Sequence, residues 1–247
     1  MRYFGKIIMK YFLVNENLPA EMQRALSAYG EPIPLPAWRT LPFPVRTHPD
    51  MLAAKIGRCL LVHEAYREGR ALLDLIGVPY SLSSASVGEK YPQDIRLNCL
   101  AADTFFLSNE KYVSSEALTL ADQQGLRRIH VKQGYAKCSC AYAQNAIATT
   151  DRGIASVAEK SGIDVLLLKP TVIGIEVYDT GFIGGASVRL DECTLGFFGR
   201  IEDFAGYPAL AEFFGARGVR LVSLGQAPLF DYGGAIDIEI EKKDRIV

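Results

Sequence analysis

The residues of this sequence that could move a proton or attack an electrophile are few: three histidines and five cysteines. His48 and Asp50 lie close together in Arg46-Thr-His-Pro-Asp50. A histidine beside a carboxylate can act as an acid–base pair, because imidazole titrates near neutrality. The competing reading is a turn in which Asp50 caps the next segment and His48 is solvated. A second segment, Tyr91-Pro-Gln-Asp94-Ile-Arg96, repeats the order of ring, proline, aspartate and apolar residue, with one insertion. It supplies a second carboxylate and adds Arg96. Asp231, just before Gly233-Gly234, is a third carboxylate, either a cation ligand or a turn residue.

Cys138 and Cys140 alternate, so on a strand both thiols face one side. Lys137 adjoins Cys138, and a neighbouring cation lowers a thiol pKa, which makes Cys138 a candidate nucleophile. The plainer reading makes both cysteines small buried hydrophobes. Their spacing does not suit zinc, and no metal site is expected. His130 and Lys132 fall on one side of a strand, with His130 satisfied inside the sheet. His63, before Glu64, reads as a surface residue. Gly184-Gly185-Ala186-Ser187 and Gly233-Gly234 let backbone approach a ligand or keep a crowded centre open, with Ser187 a candidate contact. Neither segment opens into a helix with the Lys-Ser or Lys-Thr pair of a phosphate cradle, and no cofactor is expected.

The elements that must position these residues recur. Leu18 to Gly30 predicts a helix, capped by Asn15 or Asn17, with Pro19 in its first turn and Gly30 at its end. A proline-rich strand follows at Ile33–Leu35, and Ile56 to Val62 predicts a closing strand. Helices over Ala65–Ile76, Ser114–Gln124, Gly153–Lys160 and Tyr207–Ala216 stop at Gly77, Gly125, Gly162 and Gly218. With Gly30, these glycines recur every 37 to 56 residues. A glycine belongs there because a helix often exits through a left-handed residue. Strands follow at 78–82, 129–131, 164–168 and 219–224. The predicted units are 10–64, 65–110, 111–152, 153–206 and 207–247, within one domain spanning 1–247. A doubly wound α/β sheet is the alternative, but it would carry more helices and fewer strands per unit.

The bulk numbers bound the function. A formal net charge of −1, with scattered Lys and Arg, argues against a nucleic-acid partner. No apolar run approaches the length of a membrane span, and the first residues lack a signal-peptide pattern, so neither membrane nor export is expected. An odd cysteine count reads as reduced thiols in a cytoplasm. Met9 is an alternative start to Met1, because Lys10–Asn15 already reads as a strand.

The repeat count, unit order and Gly-rich segments resemble the pentein superfamily, the α/β-propellers of guanidine-modifying enzymes, over about Lys10 to Ile240. This superfamily includes arginine and agmatine deiminases, dimethylarginine dimethylaminohydrolases and amidinotransferases, and the nearest likeness is to a small bacterial branch. The resemblance implies a five-bladed, pseudo-fivefold α/β-propeller. In its enzymes a Cys of the last unit, after a Gly-rich turn, attacks the guanidinium carbon. A His with a carboxylate moves protons, and further carboxylates hold the cation. Here Ala235-Ile-Asp-Ile238 follows Gly233-Gly234, without a Cys. Gly134-Tyr-Ala-Lys137 stands where the enzymes carry Gly-His-x-Asp, so Tyr135 and Lys137 replace the His and the carboxylate.

Three readings follow. In the first, a small amino-acid-like or guanidino ligand binds at the axis, with Asp50, Asp94 and Asp231 as cation partners and His48 as proton carrier. Arg96, Tyr135, Lys137 and Ser187 complete the contacts. In the second, the chain is a non-catalytic interaction module, since the pentein fold also serves a ribosome anti-association factor. In the third it is an enzyme whose nucleophile has moved to Cys138. A homo-oligomer is compatible with each.

Overall fold

The computed structural model describes residues 6–243. The chain runs through β1 (Lys6–Asn15), α1 (Ala20–Leu26) and β2 (Glu31–Leu35). A one-turn helix, α2 (Pro49–Leu52), leads into β3 (Ala53–Ile56), β4 (Cys59–His63), α3 (Arg67–Ile76) and β5 (Ser81–Ser83). The order of hairpin, helix and strand then repeats as β6 (Leu100–Ala101), β7 (Phe105–Ser108), α4 (Ser115–Gln123) and β8 (Arg127–His130). It recurs as β9 (Cys140–Ala143), β10 (Ala146–Thr149), α5 (Arg152–Lys160) and β11 (Asp164–Leu167). Its last occurrence is β12 (Ser187–Asp191), β13 (Thr194–Phe197), α6 (Tyr207–Gly215) and β14 (Arg220–Ser223), followed by the lone strand β15 (Ile236–Lys243).

These strands make five separate three-stranded sheets. In each, the first two strands are antiparallel, and the third lies parallel to the middle one across the helix. The remaining sheet borrows β15, which pairs antiparallel with β1, so residues from both ends of the described chain share one ladder. No ladder joins neighbouring sheets into a closed barrel among the described residues.

Burial explains the order. β7, β10 and β13 are buried along their whole length and lie in the middle of their sheets. The third strands β8, β11 and β14 carry the exposed polar positions expected of an edge. One apolar core joins Phe105 and Ile129 of one sheet to Ile147 of the next and Ile154 of α5. The sheets are thus held by side-chain packing between them.

Gly77, Gly125, Gly162 and Gly218 adopt φ of 77°, 67°, 73° and 71°. A Cβ at any of them would meet nothing within 4 Å, so backbone conformation alone selects glycine there. Gly30 departs from the expectation and is not left-handed. A Cβ on it would come within 2.9 Å of the Lys10 carbonyl and the Phe12 ring, so close packing against β1 selects glycine instead. Asn15 and Asn17 do not cap α1, which begins after Pro19 without a side-chain cap. The strand expected over Ile56–Val62 is two strands turning at Gly57, whose φ is 58°.

Candidate functional site

The loops that precede β3, β6, β9, β12 and β15 bring the polar residues together. His48 precedes α2, where Pro49 suits the first turn because its missing N–H has no partner there anyway. Gly233 carries a φ of 77°, and a Cβ on it would lie 2.3 Å from the His48 Cβ. The last Gly pair therefore lets this loop press against the first. The Asp50 amide donates to the Gly233 carbonyl (3.3 Å) and ties the two.

Asp50 faces Cys138. The thiol donates to Asp50 Oδ2 at 3.0 Å. Asn98, from the loop before β6, organises this contact. Its Oδ1 accepts from the Lys137 and Cys138 amides (2.9 and 3.3 Å), and its Nδ2 donates to Cys138 Sγ (2.9 Å). The Cys138 carbonyl accepts from the Gly185 amide at 3.1 Å. Lys137 Nζ donates to the Gly184 carbonyl at 3.4 Å and, with Asp50, lines a cavity of ≈ 30 Å³.

Two further carboxylates lie close by. Asp231 Oδ2 accepts from the Phe182 amide (2.8 Å) and Oδ1 from the Gly233 amide (2.9 Å). His48 Nδ1 is 3.8 Å from Asp231 Oδ1. A Cβ on Gly185 would lie 1.9 Å from that oxygen, so only glycine admits the aspartate. Asp94 Oδ2 accepts from the Tyr135 hydroxyl at 2.6 Å, and the Tyr135 ring neighbours those of Tyr91 and Phe182. Asp50 Oδ1 and Asp94 Oδ1 are both buried without a hydrogen-bond partner among the described residues.

Burial dominates the electrostatics. It pushes the Asp50 carboxyl up to about 7, against the pull of the Lys137 charge. It also raises Asp94, opposed by the Tyr135 hydrogen bond. His48 is lowered by burial, with the Asp231 charge acting the other way. The Cys138 thiol is held well above its ordinary value by burial, and the nearby Asp50 and Asp231 charges add to this. At neutral pH the proton between sulfur and carboxylate therefore stays on sulfur.

Several expectations need correction. His48 and Asp50 do not pair with each other; the carboxylate nearest His48 is Asp231, from the far end of the chain. Cys138 and Cys140 do not share a strand face, because Cys138 lies in the turn before β9. Lys137 does not leave Cys138 with a depressed pKa: burial and the Asp50 and Asp231 charges raise the thiol, while the Lys137 ammonium donates to the Gly184 carbonyl. His63 is not a surface residue but is 1 % exposed, packed beside Trp38, with burial lowering it to about 4. His130 is exposed and accepts from the Glu110 amide rather than bonding within the sheet.

Asp50, Asp94, Tyr135, Lys137, Cys138 and Asp231 belong to this arrangement. Arg96 spends its donors on the Ser86 and Tyr112 carbonyls (3.2 and 2.8 Å), and Ser187 donates to the Gly184 carbonyl (3.3 Å). Among the described residues no group of three or more His, Cys, Asp or Glu could hold a metal ion. Asn98 is the residue that sequence reasoning missed. Its signal was positional: it stands two residues before β6, as Cys138 stands two before β9.

The five small sheets and the polar loops before their leading strands define the class: the chain has a pentein-type α/β fold. It is similar to agmatine deiminase from C. jejuni, with a TM-score of 0.54 at 11% identity and 99% of each chain covered. A substrate-bound variant of that enzyme gives 0.51 at 11%, again with 99% of each chain covered. DDAH from Pseudomonas aeruginosa, as a cysteine-to-serine mutant complexed with citrulline, gives 0.53 at 12%, covering 95% of this chain and all of that one. At such identities the likeness is one of fold. The chain belongs to DUF6873, a family of unknown function whose model matches residues 13–236. No curated protein matches the sequence.

Proposed function

We propose that the five sheets stand around a common axis as a pentein-like propeller of five units in one domain, and that the cluster at that axis binds a small organic cation of guanidino or amino-acid type. Contacts between leading strands support the ring: β15 touches β3 and β12, β3 touches β6, and β9 touches β12. The observation that carries the ligand is the pair of buried carboxylate oxygens, Asp50 Oδ1 and Asp94 Oδ1, that no donor among the described residues satisfies. An unpaired buried carboxylate is costly, and a planar cation with several N–H donors offsets that cost. The structures similar in fold include one complexed with citrulline and one with its substrate bound, which fits a ligand of this kind.

In this reading Asp50 and Asp94 receive the cation. Asp231 holds the loop around it, and His48, neutral at physiological pH, accepts or returns a proton. Tyr135 keeps Asp94 oriented. The five unpaired thiols suit a reducing compartment, the cytoplasm. A thermal-shift series with arginine, agmatine, citrulline and lysine tests the reading, because a ligand of the folded state raises its Tm. Guanidino compounds should raise the Tm of the wild type, and Asp50→Asn should remove the rise. An unchanged Tm with all four compounds would sink the proposal.

The 3.0 Å contact of Cys138 with Asp50 favours a second reading, in which Cys138 is a nucleophile and Asp50 its base. The raised thiol pKa opposes it in the free protein. Alkylation by iodoacetamide at pH 8, mapped by peptide mass spectrometry, separates the two. Exposed Cys193 should react, and Cys138 should stay unmodified. Cys138 labelling that accelerates when a guanidino compound is added would favour the nucleophile.

A further inference from the structure

A polar basin on the flank of the β3–β4–β5 sheet lies apart from the axial cluster. It has a volume of ≈ 660 Å³, and Thr40, Arg67, Arg70, Ser83 and Ser86 are among its lining residues, with Glu64 the one carboxylate. Arg70 is held in place: its Nη1 donates to the Glu64 carbonyl at 2.6 Å. Its Nε is buried and has no acceptor among the described residues. Arg67 is exposed and makes no ion pair among them. The ten-residue helix α3 begins at Arg67, and no side chain caps its first turn. The Arg67 amide donates to the Ala65 carbonyl (3.0 Å), and this end of the helix carries partial positive charge.

These features share one sign. The basin offers guanidinium and hydroxyl donors beside the positive end of a helix, and Glu64 is the one carboxylate in its lining. Its complement is a group made of acceptors with negative charge. We propose that this basin binds an oxyanion, the phosphate or carboxylate group of a small molecule, through Arg70 and Arg67 at the first turn of α3. Arg70 is the positioned donor, and exposed Arg67 closes over the anion from solvent.

The test is a titration of the full chain with inorganic phosphate and, separately, acetate, against chloride at constant ionic strength. Binding is followed by thermal shift, and for phosphate also by phosphorus NMR line broadening. Saturable binding of either anion is expected, with phosphate or acetate ranking first according to the group the basin prefers. Arg67→Gln should weaken it at least about tenfold, as the loss of one charge-assisted donor would. Arg70→Gln should do the same, and Arg70→Lys covers the case in which that variant fails to fold. Arg128→Gln, at an arginine already paired with Glu110 and Asp122, should change nothing. Asp50→Asn should leave anion binding intact, which keeps this site separable from the axial cation site. No saturable binding of either anion, or equal binding in Arg67→Gln, overturns the proposal.

Discussion

Asp231 and Asp50 are both buried aspartates within the same cluster, yet they live differently. Asp231 has an amide on each oxygen, from Phe182 and Gly233. Asp50 has a thiol on one oxygen and, among the described residues, no partner on the other. The first carboxylate is spent on structure, because it closes the Gly-rich turn that brings the last loop against the first. The second is left wanting, and burial pushes it up to about 7. Such a carboxylate lowers the stability of the folded state, and in the proposed reading a bound cation would offset that cost. Asp94 resembles Asp50 in this respect, with a phenol in place of the thiol and one oxygen again unpartnered.

The largest effect should come from breaking the structural carboxylate. Asp231→Ala strands two buried amide donors, and the loss should be about 4 kcal/mol at about 1–3 kcal/mol per unsatisfied group. Urea unfolding measures it. A loss near zero would show that Asp231 is not the anchor described here.

The opposite sign is expected at Asp50. Its folded pKa lies above its unfolded one, so the folded state keeps a proton that the unfolded chain has released. The associated stability is fully present below about pH 4 and is lost as pH rises through about 7. Asp50→Asn removes this dependence and should stabilise the protein by about 2–4 kcal/mol at pH 8, from about 1.4 kcal/mol per pKa unit, and by little at pH 4. Urea unfolding at the two pH values checks both sign and window. The difference between variant and wild type also cancels the acid destabilisation from the buried neutral His48 and His63, which lose stability as pH falls. If the variant is less stable than wild type at pH 8, Asp50 is not strained by its burial.

The smallest effect concerns the scaffold. Gly125→Ala, in open space at a φ of 67°, should cost about 1 kcal/mol, the price of a left-handed non-glycine residue. Gly30→Ala meets the Lys10 carbonyl and the Phe12 ring, and its cost should be set by how far that contact can relax. A thermal melt of each ranks conformational against packing glycines.

Much of the scaffold was legible in the chain. The helix over Ala65–Ile76 and its stop at Gly77, and the corresponding stops at Gly125, Gly162 and Gly218, follow from local rules of propensity and left-handed exit. Where local reading failed, packing had decided. Gly30 is glycine because β1 is close, and the Ile56–Val62 run breaks because Gly57 turns it into a hairpin. The cluster was legible as an inventory but not as pairs. His48 and Asp50 are two residues apart in sequence and part company, since the segment around Pro49 leaves one beside Asp231 and the other beside Cys138.

The sequence by itself determined which side chains are present, where helices stop, and that a strand–helix unit repeats, because these depend on neighbours within a few residues. Only the tertiary structure decided that Cys138 meets Asp50 across 88 residues, that Asn98 orients both, and that Asp231 is satisfied while Asp50 is not. The physical reason is that hydrogen-bond partners and the water removed from a carboxylate are set by loops from all five sheets. At Cys138 burial and the Asp50 and Asp231 charges raise the thiol, where a linear reading of Lys137-Cys138 suggests the opposite.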